Sequence, residues 1–340
     1  MEHIRAPSGP WRELLTAAVA IALGTLLLVE LGWRALDHAP NMSDDARAWV
    51  VERSKVYGAR PRDRIVVLGA SRVQLAVDTR FLRQAFPGHG VVQLAIDGRS
   101  PVAAFLDLAA DERFDGVAVL DLLPDDLEPA RAGMQQPYVD AFHRGLQLER
   151  RLERQLEMQV QGRLVLANPN LRLPRVLESL AGDGRLPPPY HVVTYPDRAR
   201  AGRYELVDVA AMRGGRFARD AQRYAALERS APAVWLARAL ALAAAAERIE
   251  ARGGAVLILK LPVDAERAAF DERWYPRAQY WDAFVAASPV KVIDGSDEPE
   301  LAWVPTPDAS HIDARDRQAF TIGLARILIR EGMLPPAGTP

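Results

Sequence analysis

Short apolar runs that alternate with helical segments constrain the fold of this chain more than any other feature. Five runs bounded by turn residues occupy 64–69, 90–96, 116–122, 255–262 and 290–294. Helical patterns lie between or beside them at 79–86, 101–110, 231–252 and 314–331. Strands separated by helices form βαβ units, and nearly continuous apolar strands are typical of parallel sheets covered on both faces. We therefore predict an α/β fold, a doubly wound, mainly parallel five-stranded sheet in a three-layer, flavodoxin-like sandwich.

The N-terminal region contains a second strong signal. Residues 14–29 (LLTAAVAIALGTLLLV) carry no charge, and extending the run to Trp33 adds only Glu30. About 20 helical residues span about 30 Å, the thickness of a bilayer core. The apolar residues lie all round the helix, so we predict a transmembrane helix over 14–33, in contact with the bilayer, in preference to a buried helix or a cleaved signal peptide.

The charges flanking this helix bear on its orientation. Arg5 and Arg12 precede the span, whereas Asp37, Asp44 and Asp45 follow it. The positive-inside rule then favours a cytoplasmic N-terminus. The predicted location is the cell inner membrane, with a single pass and the bulk of the chain on the periplasmic, extracytoplasmic side.

The remaining sequence divides into a core and an insertion. Residues 124–230 combine charged helical sequence with proline-rich stretches, and they interrupt the strand–helix pattern. We expect them to form a mainly helical insertion over the sheet edge. The predicted organisation is a stub and anchor at 1–36, a linker at 37–62 with a helix near 45–55, an α/β core at 63–123 and 231–333, the insertion at 124–230, and a frayed tail at 334–340.

Composition excludes several classes of function. The formal net charge is −1, so no global field attracts nucleic acid, and we expect no nucleic-acid partner. The chain has no cysteine, which rules out disulfides and thiolate chemistry. Its six histidines include no pair three or four residues apart, so we predict neither a metal site nor any cofactor.

Two short motifs carry the candidate chemistry. Ser71 follows the first strand in VLGASR, and ligands of open parallel sheets bind beyond the carboxyl ends of the strands. Asp308 and His311 stand three residues apart in PDASHID, just before the last helix. A serine needs a base and the base an orienting acid, so Ser71, His311 and Asp308 together predict a catalytic triad. The alternative for Ser71 alone is an ordinary helix cap.

These residues resemble a known family. VLGASR, LAIDGRSP and PDASHID are similar to blocks one, two and five of the SGNH (GDSL-like) hydrolase superfamily, and the likeness covers about 61–125 and 250–330. Within it, the chain is most similar to membrane-anchored members such as DltD and the alginate O-acetylation proteins. The resemblance implies Ser71 as nucleophile, His311 as general base and Asp308 as its partner. It also implies an oxyanion hole formed by the backbone N–H groups of Ser71 and Gly98.

The third block departs from that pattern. Members of the superfamily usually place an asparagine after the third strand, but here the strand ends at Asp121. An ionised carboxylate cannot donate a hydrogen bond to an oxyanion. Three alternatives stand: the hole has only backbone donors, Asn168 or Asn170 reaches it from the insertion, or Asp121 has another role.

Two further features are candidates for substrate binding. Arg72 is expected either to bind an acyl or phosphate oxygen or to make a structural ion pair. The aromatic cluster WYPRAQYW, with Trp281 at its end, is expected either to stack on sugar rings or to pack the insertion against the core.

The resemblance and the anchor together imply a function. We expect an extracytoplasmic serine acyltransferase or esterase that transfers an acyl group, acetyl in the simplest case, to or from a cell-envelope polysaccharide. The anchored relatives imply a multi-pass membrane acyltransferase as partner. The alternatives are a carbohydrate esterase that uses water, and an inactive scaffold or carbohydrate-binding component of a modification complex.

Overall fold

The computed structural model describes residues 10–57 and 63–336 of the chain. Predictions for 1–9, for 58–62 and for the end of the tail at 337–340 lie outside the described residues. The strands are β1 Arg64–Leu68, β2 Gly90–Gln93, β3 Val117–Asp121, β4 Val192–Thr194, β5 Arg200–Gly202, β6 Ala255–Lys260 and β7 Lys291–Asp294. Five of them form one sheet in the order β2-β1-β3-β6-β7, and every neighbouring pair is parallel. The predicted five-stranded parallel sheet is confirmed.

The helices pack on both faces of this sheet. They are α1 Trp11–Ala35, α2 Ala46–Arg53, α3 Ser71–Ala76, α4 Thr79–Ala85, α5 Val102–Ala110, α6 Pro129–Ala132, α7 Gln136–Arg144, α8 Leu148–Gln161, α9 Leu173–Asp183, α10 Val209–Ala226, α11 Pro232–Glu250, α12 Ala265–Glu272, α13 Trp281–Ala287 and α14 Arg317–Arg330. The predicted helices at 79–86, 101–110, 231–252 and 314–331 correspond to α4, α5, α11 and α14, each within three residues at either end.

Two apolar cores explain the layers. Successive side chains of a strand point to opposite faces, so Ile65 and Val67 of β1 face one core while Val66 and Leu68 face the other. The first core, which contains Ile65 and Val67, is closed by α3, α4 and α14. The second core, which contains Val66 and Leu68, is closed by α5, α11 and α13. The sheet is therefore buried on both sides, which is why its strands carry few polar residues.

The edge strand β2 ends earlier than the apolar run 90–96 predicts. From Gln93 onward, side chains donate hydrogen bonds to the backbone carbonyls. Arg198 donates to Gln93 O at 2.8 Å and to Ala95 O at 3.0 Å. The Trp49 indole donates to Leu94 O at 2.9 Å. Because β2 has no second neighbouring strand, these distant side chains satisfy the carbonyls instead. The carboxyl end of β2 thus bends into a loop.

The segment between β3 and α11 contains α6–α10 and the antiparallel hairpin of β4 and β5. Gly202, at the end of the hairpin, forms a β-bridge with Asp313, and its carbonyl accepts from Ala314 N at 2.8 Å. The hairpin therefore holds the loop that precedes α14. This contact brings the insertion against the carboxyl ends of the core strands.

Helix α1 is long and apolar enough to cross a membrane, and most of its apolar side chains are exposed. Its end is joined to the body of the protein. The buried Glu30 carboxylate accepts from Val165 N at 3.0 Å and from Leu166 N at 2.9 Å, and Arg34 donates to Arg163 O at 2.7 Å. These bonds fix where α1 meets the insertion.

Candidate active site

The turn after β1 raises Ser71 to the carboxyl edge of the sheet. Gly69 has a φ of +153°, and a Cβ there would lie 2.5 Å from Val73 Cγ1 and 2.9 Å from Asp121 Cβ. Only glycine fits this backbone without strain. Ser71 is then the first residue of α3, where its N–H has no acceptor within the helix.

The loop before α14 is organised by one carboxylate. Asp308 Oδ1 accepts from Ser310 N at 3.0 Å and from His311 N at 2.8 Å, while Ala309 between them adopts a positive φ of 65°. This local turn brings the His311 ring back over its own aspartate. The DxxH spacing thus works as a turn in which the acid also holds the backbone of the base.

The three side chains form one continuous chain of hydrogen bonds. His311 Nε2 lies 2.8 Å from Ser71 Oγ, and His311 Nδ1 lies 2.9 Å from Asp308 Oδ2. Both His311 and Asp308 are buried. The structure therefore brings together a hydroxyl, a base within reach of its proton and an acid that orients the base.

Burial and neighbours set the charges of this chain. Burial lowers the pKa of His311 below its ordinary value, although the hydrogen bond to Asp308 opposes the shift. Burial disfavours the charged form of Asp308, but the bond from His311 and the nearby Arg216 hold the pKa of its carboxyl well below the usual range. At neutral pH the arrangement is a neutral imidazole beside a carboxylate, the state a general base requires.

A cavity of about 640 Å³ opens above Ser71. It falls in the size range of small-molecule and cofactor sites. Gly98, with a φ of +66°, lines the same cavity, and the Gly98 N–H has no acceptor among the residues that the structure describes. The backbone N–H groups of Ser71 and Gly98 therefore both lack a protein acceptor within residues 10–57 and 63–336.

Several arginines line the cavity, and some of them pair with carboxylates outside the lining: Asp125 pairs with Arg131 and Arg223, and Asp271 pairs with Arg267. Arginines outnumber aspartates seven to four among its residues: Arg72, Arg131, Arg200, Arg216, Arg219, Arg223 and Arg267 against Asp97, Asp126, Asp220 and Asp308. Burial, with the neighbouring Asp125 charge, raises the pKa of Asp126, which reduces the negative charge further. Arg219 is exposed and has no carboxylate partner within 4 Å in the described part of the chain. The cavity suits an anionic ligand group.

Two insertion residues complete the site and were not expected from the sequence. Arg216 Nη2 lies 2.6 Å from Asp308 Oδ2, and Arg200 Nη1 lies 2.7 Å from Asp97 Oδ2. Burial opposes ionisation of Asp97, but the Arg200 guanidinium lowers its pKa. One signal existed: Met212, Arg216, Arg219, Asp220 and Arg223 follow helical spacing, and all line the cavity.

Several expected binding residues lie elsewhere. Asp121 is buried behind Gly69, where Leu261 N donates to it at 3.4 Å, and burial raises its pKa to about 6. Asn168 caps a short 3₁₀ turn through Asn170 N, 3.0 Å away, and Asn170 itself is exposed. None of the three lines the cavity. Neither asparagine therefore supplies the side-chain oxyanion donor that the third block lacks. Asn168 is held in its turn by the hydrogen bond from Asn170 N, and Asn170 is exposed outside the cavity.

Trp281 and Arg72 were both expected as candidates for substrate binding, and the structure places them in different environments. Trp281 is buried in the second core, edge-on to Phe284, so packing and not sugar stacking explains the aromatic cluster. Arg72 does line the cavity, but its Nη2 donates to the carbonyls of Leu261 at 2.7 Å and Pro262 at 3.3 Å. It is buried and bonded to the backbone after β6 and makes no ion pair among the described residues, so the expected structural ion pair is not found, while binding of an acyl or phosphate oxygen stays a prediction.

The comparisons with known proteins are sparse. No family model and no curated protein matches this chain. Among solved structures, "Crystal Structure of TesA" is similar at 14% identity and a TM-score of 0.35, covering 80% of this chain and 99% of that one. A lipase from a goat rumen metagenome, Lip_vut3, is similar at 12% identity and a TM-score of 0.32, covering 77% and 96%. Likeness at this level does not establish a common activity.

Within residues 10–57 and 63–336, no group of three or more histidine, aspartate or glutamate side chains is arranged to hold a metal ion.

Proposed function

We propose that this chain is a membrane-anchored serine enzyme of SGNH type that transfers an acyl group, acetyl in the simplest case, to or from a cell-envelope polysaccharide. The observation that carries the proposal is the hydrogen-bonded series Ser71–His311–Asp308 at the floor of an open cavity. A triad is recognised by geometry and roles and not by sequence order. The resemblance of the three sequence blocks to the SGNH superfamily supports the same assignment.

The reaction follows from the positions of these groups. His311 Nε2 takes the proton of Ser71 Oγ as the oxygen attacks the carbonyl carbon of an ester. The tetrahedral intermediate collapses when the ester C–O bond breaks, and His311 gives its proton to the departing alkoxide. The acyl-enzyme then reacts with a sugar hydroxyl, whose proton passes to His311 and finally back to Ser71.

The negative charge of the intermediate falls on the former carbonyl oxygen. In this proposal the N–H groups of Ser71 and Gly98 stabilise it, and no side-chain amide takes part. Losing one oxyanion donor costs about 10²–10³ in kcat, so a hole of two backbone donors is consistent with a slow enzyme. Arg200, paired with Asp97, keeps the carboxylate beside Ser71 neutralised.

The acceptor is proposed to carry carboxylate or phosphate groups. Arg219, which is exposed and has no carboxylate partner among the described residues, supports an anionic chain over a neutral one. Helix α1 is proposed to hold the enzyme in the inner membrane with this cavity on the periplasmic side. A multi-pass acyltransferase is the proposed partner, since a periplasmic enzyme needs an acyl donor delivered across the membrane.

The test uses the full chain in lipid nanodiscs. A chromogenic acetyl ester serves as donor, with and without an acidic oligosaccharide as acceptor, and intact-protein mass spectrometry measures acetyl on the enzyme. We compare the wild type with Ser71→Ala and with Ser43→Ala, an exposed serine that does not line the cavity. We expect acetylation of the wild type and of Ser43→Ala, none of Ser71→Ala, and acetylated sugar when acceptor is present.

The possible results of this test distinguish a transferase, an esterase and an inactive scaffold. Release of acetate at a rate unaffected by acceptor would replace the transferase with an esterase that uses water. Equal ester turnover by the wild type and Ser71→Ala, with no acetylated protein, would refute both enzymatic functions and leave the scaffold alternative.

A further inference from the structure

Helix α9 presents an apolar face that no other part of the described structure covers. Leu173, Leu177 and Leu180 are 69%, 53% and 42% exposed, and α9 contains no buried residue. At 100° per residue these leucines fall on one side of the helix. Arg175 and Glu178 lie on the other side and form an ion pair of 2.7 Å. The helix is therefore amphipathic, with its apolar side towards solvent.

This face lies close to the end of the membrane helix. Glu30 of α1 accepts hydrogen bonds from the backbone of Val165 and Leu166, and α9 begins at Leu173. Seven residues span at most about 25 Å even when fully extended. The intervening 3₁₀ turns, Val165–Ala167 and Pro169–Leu171, shorten that distance further. The start of α9 is thus tied to the point where α1 meets the body of the protein.

We propose that the apolar face of α9 lies in the headgroup–acyl boundary of the same bilayer that holds α1. A helix with leucines on one side and charged residues on the other is the type that lies flat in a membrane interface. This inference rests on the membrane anchoring in the proposed function. The bilayer is the occupant we select because α1, which is long and apolar enough to cross a membrane, meets the body of the protein beside the start of α9.

The docking has a consequence for the cavity. Asn168, between the Glu30 contact and α9, accepts from the Tyr190 hydroxyl at 3.1 Å. Tyr190 lines the cavity. The segment that rests on the membrane is therefore bonded to a wall of the site, and two attachments, α1 and α9, fix the direction in which the cavity faces the bilayer.

The absence of cysteine makes a clean test available. Single cysteines replace Leu177 on α9, Ala22 within α1, and Val285 on α13, which packs beside β7 at the sheet edge opposite β2. Val285 is 42% exposed and serves as the matched apolar control. Each variant of the full chain is labelled with an environment-sensitive fluorophore and reconstituted in phosphatidylcholine vesicles, with or without phosphatidylglycerol. Nitroxide lipids then quench the label from the headgroup or from deep in the acyl region.

We expect the Leu177 label to shift to the blue and to lose emission to the headgroup nitroxide. The Ala22 label should be quenched by the deep nitroxide and the Val285 label by neither. Quenching at Ala22 without quenching at Leu177 would overturn the docking of α9 and leave the anchor intact. Absence of quenching at both positions would overturn both. Disulfide-linked dimers of unlabelled Leu177→Cys, without lipid quenching, would overturn the docking in favour of a second copy.

Discussion

Arg216 on α10 donates to the same carboxylate oxygen of Asp308 that accepts from the His311 ring. The Asp308 carboxylate is thus shared between the core, which supplies the histidine, and the insertion, which supplies the arginine. A fixed positive charge at this position disfavours a second positive charge on the imidazole. The contact between Arg216 and Asp308 therefore affects the pH at which His311 becomes protonated.

Replacing Arg216 should change the pH profile. The Arg216 charge contributes to lowering the pKa of His311, so Arg216→Gln should move the acid limb of kcat/KM to higher pH. Arg216→Lys keeps the charge and should leave the limb near its wild-type position. Ester hydrolysis measured from pH 4 to 9 checks this. A limb at the same pH in Gln and Lys variants would show that the arginine only supports the fold.

The wild-type profile itself is the second prediction. Burial lowers the pKa of His311 below its ordinary value of 6.5, and only the neutral imidazole accepts the Ser71 proton. As pH falls, activity should therefore persist through 6.5 and decline only at lower values. The midpoint of the acid limb in kcat/KM measures this directly, and a midpoint above 6.5 would contradict the assignment of His311 as a buried base.

Asp121 should make the wild type less stable at high pH. Its pKa of about 6 lies above its ordinary value of 3.8, so the folded state binds more protons than the unfolded state between these values. The stability from this group is present at low pH and is lost as pH rises through 6. In Asp121→Asn the side chain at this position is an amide, which does not titrate in this pH range. The free energy of unfolding of Asp121→Asn relative to wild type should rise between pH 4 and pH 8, by up to about 3 kcal/mol.

Urea denaturation at the two pH values provides the measurement for Asp121. A difference between the two proteins that does not vary with pH would mean that the Asp121 carboxyl titrates normally. Comparing the change between two pH values removes any constant effect of the new amide group on packing.

Gly69→Ala should destabilise the fold. The added Cβ would meet Val73 and Asp121 at 2.5 and 2.9 Å, and the φ of +153° is unfavourable for alanine. We expect a loss of about 1–3 kcal/mol from overpacking and strain. Gly133→Ala is the matched control, since nothing lies within 4 Å of its Cβ position. The denaturation midpoint should fall for Gly69→Ala alone; equal midpoints for both variants would argue against a strained turn under Ser71.

Arg219→Gln should weaken binding of charged acceptors. The side chain is exposed and unpaired in the described structure, so its charge is free to meet an anionic sugar. We expect KM for an acidic oligosaccharide to rise about fivefold, which corresponds to about 1 kcal/mol for an exposed ion pair. KM for a neutral oligosaccharide should not change. Arg248→Gln, an exposed arginine outside the cavity, is the control; equal effects at Arg219 and Arg248 would indicate a nonspecific charge effect.

The features that can be predicted from the sequence are those that depend on residues close together in the chain. The strands are predictable because each is an apolar run closed by a turn, and the DxxH loop is predictable because Asp308 bonds to the backbone three residues on. Ser71 stands out because it follows a strand directly. In each case the residues concerned are neighbours in the chain, so spacing alone brings them together.

Contacts across the insertion were not predictable in the same way. Arg216 reaches Asp308 and Arg198 closes the end of β2 only because α10 and the hairpin fold back over the sheet. Asn168, one of three alternatives considered for the missing oxyanion donor, does not reach the site because its side chain accepts a hydrogen bond within its own turn. Which of many arginines or asparagines meets the site depends on packing between distant segments, and periodicity does not specify that packing.

The bridge between Gly202 and Asp313 has a practical consequence. It joins the loop that bears His311 to the hairpin of the insertion, so the position of His311 depends in part on a segment outside the core. Excising residues 124–230 to obtain a minimal enzyme would release this loop and remove Arg200 and Arg216 with it. A smaller scaffold designed to carry the site must therefore keep this hairpin.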